Sequence, residues 1–214
     1  SPPRLSRMRP EVFPEDAGIG AAPQSIANDA SDRSLDGFSP AATASCAALS
    51  APYTVPSVIA RMGRSGVIAG RKQAIVPILR AGLGMVDGIR SMIPTAKIGF
   101  IGMYRDEETL KPHAYFSKLP PNIQDSIVML VDTMLATGSS IEAAYKRLCE
   151  EGEPKHTHLV CPISSAYAVE YLQKNIDGEK ATLWVAAIDE ELTSKSYIVP
   201  GLGDAGDLAY GIKK

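Results

Sequence analysis

From position 73 onward the chain alternates short, wholly apolar runs with stretches whose apolar residues recur every three or four positions. Apolar runs bounded by Gly, Pro and Asn read as strands buried on both faces, and the three-to-four spacing reads as helices with one buried stripe. Strands are therefore expected over residues 73–79, 97–103, 126–131, 157–163 and 182–187, and helices over 83–92, 139–151 and 166–174, with Gly152 ending the second. Strands separated by single helices predict an α/β fold with a mostly parallel, doubly wound sheet. Between positions 104 and 121 the period fails. A charged, proline-containing run leads there to Tyr115 and Phe116, the pattern of a projecting β-arm that serves a partner subunit or covers a substrate. From Ser196 the tail carries Pro200, Gly201, Gly203 and Gly206 around two aspartates, too much glycine for a regular element, and is expected to be a shaped loop.

Residues 1–70 differ in texture. Ser, Ala, Pro, Gly, Arg and Asp mix without a sustained apolar period, so the stretch is expected to be weakly ordered, with short helices only over 41–49 and 55–62. The expected division is a divergent N-terminal region, 1–70, and one α/β domain, 71–214.

Composition narrows the partners. A net charge of -2 supplies no general attraction to nucleic acid or anionic membranes. Cys46, Cys149 and Cys161 are an odd number, widely spaced, and form no metal-binding pattern. No run approaches the roughly 18 to 20 apolar residues of a membrane span, and positions 1–20 lack a signal-type apolar core. A cytoplasmic protein is expected.

The strongest chemical signal lies at positions 126–140. Ser126-Ile-Val-Met-Leu-Val131 should carry Asp132 to the carboxyl end of a strand, where ligands bind in open α/β sheets. Ala136-Thr-Gly-Ser-Ser140 then offers small side chains, hydroxyls and a helix N-terminus, a cradle for a phosphate. An ordinary strand-to-helix turn capped by Ser139 or Ser140 is the bland alternative. GxxxxGK[ST] does not occur and no GxGxxG follows an expected strand, which disfavours the P-loop and dinucleotide folds. Asp132 can accept hydrogen bonds from two adjacent sugar hydroxyls, or serve only as a turn aspartate.

Four segments in order resemble the signatures of the phosphoribosyltransferase family, in its uracil-specific branch: Ile78-Leu-Arg-Ala-Gly-Leu-Gly-Met85, Gly102-Met-Tyr-Arg-Asp-Glu-Glu-Thr109, Val131-Asp-Thr-Met-Leu-Ala-Thr-Gly-Ser-Ser140 and Tyr197-Ile-Val-Pro-Gly-Leu-Gly-Asp-Ala-Gly-Asp207. The resemblance covers position 73 to the C-terminus. It implies a phosphoribosyltransferase core with a β-arm and a C-terminal base-binding hood. The implied reaction transfers the 5-phosphoribosyl group from 5-phosphoribosyl 1-pyrophosphate (PRPP) to N1 of uracil, giving UMP and pyrophosphate. Mg²⁺ would arrive on PRPP, with no metal ligand on the protein. A homodimer or higher homo-oligomer is implied; nucleic-acid and membrane partners are not.

The same resemblance implies the site. PRPP would meet Arg80, Arg105, Asp132, Thr133, Met134, Leu135, Ala136, Thr137, Gly138, Ser139, Ser140 and Asp204. The 5′-phosphate falls to the 136–140 loop, the ribose hydroxyls to Asp132 and the pyrophosphate to the two arginines, whose planar guanidinium forks suit phosphate oxygens. Uracil would be read by Ile198, Gly203, Asp204 and Ala205, with Asp204 also near the reacting N1. Arg80, Arg105, Asp132 and Asp204 form the implied catalytic set. His113, His156, His158 and Cys161 receive no role.

Three departures accompany the match. Thr133 stands where the uracil branch usually has proline, and Ser139 replaces a loop glycine, which would strain the loop by roughly 1 to 2 kcal/mol if that position needs positive φ. Residues 1–70 do not align with the family's amphipathic N-terminal helices. A regulatory relative, such as an RNA-binding pyrimidine regulator, or a nucleotide-binding module is the alternative reading. The two arginines favour turnover, and the base-reading loop argues against the regulator.

Overall fold

A computed structural model describes residues 10–12, 72–106, 109 and 112–211, with only the main chain of 10–12 and of Arg105. The helices expected over 41–49 and 55–62 lie outside the described residues. In chain order the strands are β1 (Pro10–Val12), β2 (Lys72–Leu79), β3 (Lys97–Ile98), β4 (Phe100–Arg105), β5 (Pro112–Lys118), β6 (Ser126–Val131), β7 (Met134–Leu135), β8 (His156–Ser165), β9 (Ala181–Asp189), β10 (Glu191–Leu192) and β11 (Ile198–Val199). The α-helices are α1 (Val86–Met92), α2 (Ser139–Glu151), α3 (Ala166–Asn175) and α4 (Ala205–Tyr210).

The main sheet runs β1-β9-β8-β6-β2-β4-β5, with β3 beside β2 and β7 beside β8; β10 and β11 form a separate antiparallel pair. Every pairing in the main sheet is parallel except β4 with β5. The apolar runs of β2, β6 and β8 thus occupy the middle, where both faces must be covered. Successive side chains alternate faces. Val128 and Leu130 pack with Ile141, Ala144 and Leu148 of α2 and Leu172 of α3, whereas Met129 and Val131 pack with Val86 and Ile89 of α1 and with Trp184. Helices on both faces make the sheet doubly wound, as the sequence pattern predicts.

Pro77 sits in β2 without the N–H that a central strand needs. It is the last residue of β2 in register with β6, opposite Val131; at Ile78 the pairing passes to β4. The proline lies where the ladder changes partner.

Three elements depart from expectation. The helix expected from 83 begins as a 3₁₀ turn, Ala81–Met85, before α1. The strand expected over 97–103 divides at Gly99, where a Cβ would stand 2.8 Å from Pro120 and 3.0 Å from the Lys118 carbonyl oxygen. The tail expected to be loop contains β11 and α4. Gly201 and Gly203 take the positive φ of the turns between them. Asp204 then starts α4 by accepting the Asp207 N–H at 2.9 Å. That one cap outweighs the glycine content from which a loop was expected.

Candidate functional site

The chain leaves β2 toward β4 and β5 on one side and returns to β6 on the other, so the strand order switches between β2 and β6. At such a switch the loops after adjacent strands part and leave a crevice at the carboxyl ends. A cavity of about 440 Å³ lies there, walled by Ile78, Leu79, Arg80 and Ala81 after β2, Met103 and Tyr104 of β4, Tyr115 of β5, Asp132 after β6, Ser140 of α2, and Asp204 and Gly206 of the tail. All four segments named in the sequence contribute to it.

Two carboxylates face this cavity. Burial pushes the Asp132 carboxyl up from 3.8 to about 7; the Thr133 N–H, donating to its Oδ1 at 2.8 Å, opposes that rise, and the negative charge of Asp204 adds to it. Near neutrality Asp132 is therefore divided between its acid and carboxylate forms. Thr133 is itself buried. Where the resemblance places a proline it supplies an N–H that proline lacks, so this departure gives Asp132 a partner.

Behind Asp132, Met134 and Leu135 pair with Ile163 and Ser164 as β7, carrying the chain alongside β8 before it turns into α2. Gly138, at φ 84°, makes that turn and precedes the first helical residue, Ser139. The positive φ falls on Gly138, and Ser139 takes none. No strain follows from the serine. Its hydroxyl instead lies 2.9 Å from that of Thr137. Of the residues from Ala136 to Ser140, Ser140 lines the cavity. The free N–H groups of the first turn of α2 lie at the same corner, suited to an anion.

Arg80, which also lines the cavity, donates from Nη2 to Asp207 Oδ1 at 2.6 Å and from Nη1 to the Gly211 carbonyl oxygen at 3.0 Å. Arg105 ends β4, two positions beyond Met103. In the tail, Asp204 reaches the cavity, Gly203 is exposed, and Ile198 and Ala205 are buried in a cluster with Ile163 and Leu202.

Against this geometry, the uracil phosphoribosyltransferase family model matches residues 41–212. The chain belongs to that family. Curated relatives named uracil phosphoribosyltransferase include one from Clostridium botulinum (strain Eklund 17B / Type B), 55% identical over 147 residues and covering 69% of each chain. Another from Limosilactobacillus fermentum is 54% identical over 150 residues, covering 68% of this chain and 69% of the relative. A third, from Bacillus licheniformis, is 49% identical over 153 residues and covers 72% of each. The solved structure of the AQ2163 protein from Aquifex aeolicus is 38% identical with a TM-score of 0.61, over 65% of each chain. The family match begins at position 41 and so takes in part of the stretch before position 73 that the sequence resemblance left out.

Several residues of this family member's site escape a reading of the sequence. Ser165 is fully buried, accepts the Ala168 N–H to cap α3, and donates to the Ala136 carbonyl oxygen at 2.6 Å, tying the phosphate-type loop to β8. Its position just before the helical run was the available signal. Tyr171 donates to Glu142 at 2.6 Å and packs against Gly138. Buried Asp189 accepts the Gly201 N–H at 3.2 Å and holds the turn after β11. The histidines join none of this. His158 is buried, accepts the Trp184 Nε1–H at 3.0 Å, and is held neutral by burial, its pKa lowered to about 3. His113 is exposed and stacks on Tyr104.

Proposed function

We propose that the chain transfers the 5-phosphoribosyl group of PRPP to N1 of uracil, releasing pyrophosphate and forming UMP. One observation carries this reading. A single cavity at the sheet's switch point brings together a sugar-type carboxylate, Asp132, the helix N-terminus at Ser140, and an arginine, Arg80. PRPP needs those three things at once: hydroxyl acceptors, an anion cradle and a cation for its diphosphate.

On this reading the 5′-phosphate sits on the loop from Ala136 to Ser140, main-chain N–H groups meeting its oxygens. Asp132, as carboxylate, takes the ribose hydroxyls. Arg80, with Arg105 from the end of β4, takes the leaving diphosphate and holds its growing charge. Main-chain groups of the turn from Ile198 to Ala205 hold uracil, with Asp204 beside the reacting nitrogen. Catalysis is then orientation and electrostatics, without a covalent nucleophile.

Among the described residues no three His, Cys, Asp or Glu side chains are grouped to hold a metal ion. Asp132 and Asp204 on one cavity still give two oxygen donors, which suits Mg²⁺ carried by substrate phosphates with one or two carboxylates nearby. When bound, Mg²⁺ neutralises diphosphate charge. The proposed setting is the cytoplasm, consistent with no described helix being long and apolar enough to cross a membrane. Self-association through edge strand β5 is supported by its exposed Tyr115 and Phe116.

The test is direct: the purified chain with radiolabelled uracil, PRPP and Mg²⁺ should yield labelled UMP. No product from a chain with native circular dichroism would reject the assignment. Asp132→Asn should cut turnover at least a hundredfold, against less than twofold for Asp177→Asn.

A further inference from the structure

We infer that Asp207 is a positioning residue for Arg80, setting the guanidinium that meets the diphosphate and joining it to the base-side loop. The inference rests on the PRPP reading of the cavity. Arg80 has a long, freely rotating stem, and a fork that must meet phosphate oxygens in one orientation gains from being held beforehand. The Asp207 carboxylate holds it at 2.6 Å, with both side chains 31% exposed, and the Gly211 carbonyl oxygen takes the neighbouring nitrogen at 3.0 Å. Most surface ion pairs contribute little. This one is two-thirds buried and reinforced at a second donor, and it leaves the remaining N–H groups of the fork for an anion.

Asp207 does not line the cavity, so it acts through Arg80. Its own main chain is fixed by the tail: its N–H is accepted at 2.9 Å by Asp204, which does line the cavity. A single turn of α4 therefore links the carboxylate on the base side to the arginine on the diphosphate side. Asp207→Asn keeps the size and the main-chain cap and removes only the charge.

Steady-state kinetics with PRPP and uracil, alongside calorimetric titration with magnesium pyrophosphate, tests this. In D207N, kcat/KM for PRPP should fall at least tenfold and pyrophosphate should bind at least fivefold more weakly, while KM for uracil moves less than twofold. D207E should recover to within threefold of wild type. In an Arg80→Lys background, D207N should add less than a twofold loss, because the fork it orients is already gone; a merely structural role would multiply with R80K. D207N kinetics and pyrophosphate binding both within twofold of wild type, or losses that multiply, would overturn the inference. A wild type that makes no UMP yet binds pyrophosphate defeats the PRPP transfer reading and leaves Asp207 to be decided by calorimetry. One that does neither defeats both.

Discussion

Replacing Asp132 by asparagine should make the protein more stable while removing its activity. Folding raises this carboxyl from 3.8 to about 7, chiefly by burial. A group raised in this way favours the folded state while protonated: its contribution is intact below about pH 4 and is lost as pH rises through about 7. At 1.36 kcal/mol per pKa unit, ionised Asp132 costs the folded state roughly 4 kcal/mol at pH 8. Asp132 is only partly buried in the fold, so screening cuts that to about 2 kcal/mol. At pH 5 only the unfolded chain ionises, and the same arithmetic gives under 1 kcal/mol. Asparagine keeps an oxygen to accept the Thr133 N–H and never ionises. Urea unfolding followed by circular dichroism at both pH values measures the difference. With a slope of about 2 kcal/mol per molar urea, the D132N midpoint should lie about 1 M above wild type at pH 8 and less than half that at pH 5. A D132N midpoint at or below wild type at pH 8, or a gap that ignores pH, would refute the reasoning.

Other substitutions probe the loop and its supports. Gly138→Ala places a Cβ 2.8 Å from Tyr171 Cδ1 at φ 84°; it should cost about 1 to 2 kcal/mol in backbone strain, read as a lower melting temperature, and raise KM for PRPP at least tenfold. Thr133→Pro removes the N–H given to Asp132 and should move that carboxyl's pKa further up, whereas Thr133→Ala keeps the amide and should leave it unmoved. Carboxyl carbon NMR titration separates the two, and equal shifts would sink the assignment of the amide. Ser165→Ala takes away both a helix cap and the hydrogen bond to Ala136; a loss of about 1 to 2 kcal/mol is expected by urea unfolding, with KM for PRPP rising more than KM for uracil.

The strands and helices from position 73 were legible because each central strand is apolar on both faces and each helix carries one stripe. These patterns report burial, and burial decides the sheet. Asp132 and the loop after it were legible for a related reason, since strand, acid, small residues and helix follow one another directly. The tail was misread because local glycine content was weighed without the Asp204 cap. Asp207 and Ser165 were missed because their partners, Arg80 and Ala136, lie 127 and 29 positions away. No periodicity reports a single long-range hydrogen bond. Ser139 shows the converse: the backbone strain its departure from the family pattern threatened does not arise, because the positive φ falls on its neighbour.

Gly82 sets how the two ends of the cavity relate. A Cβ there would collide with the Val131 carbonyl oxygen, so the turn carrying Arg80 rests directly on the strand end that presents Asp132. The cavity thus has a built-in caliper. The spacing between the turn that carries Arg80 and the strand end that carries Asp132 is set there by main chain against main chain. Drift elsewhere in the core can repack around it without resetting the gauge. Reshaping this pocket for a longer or shorter sugar diphosphate would mean recutting both turns together.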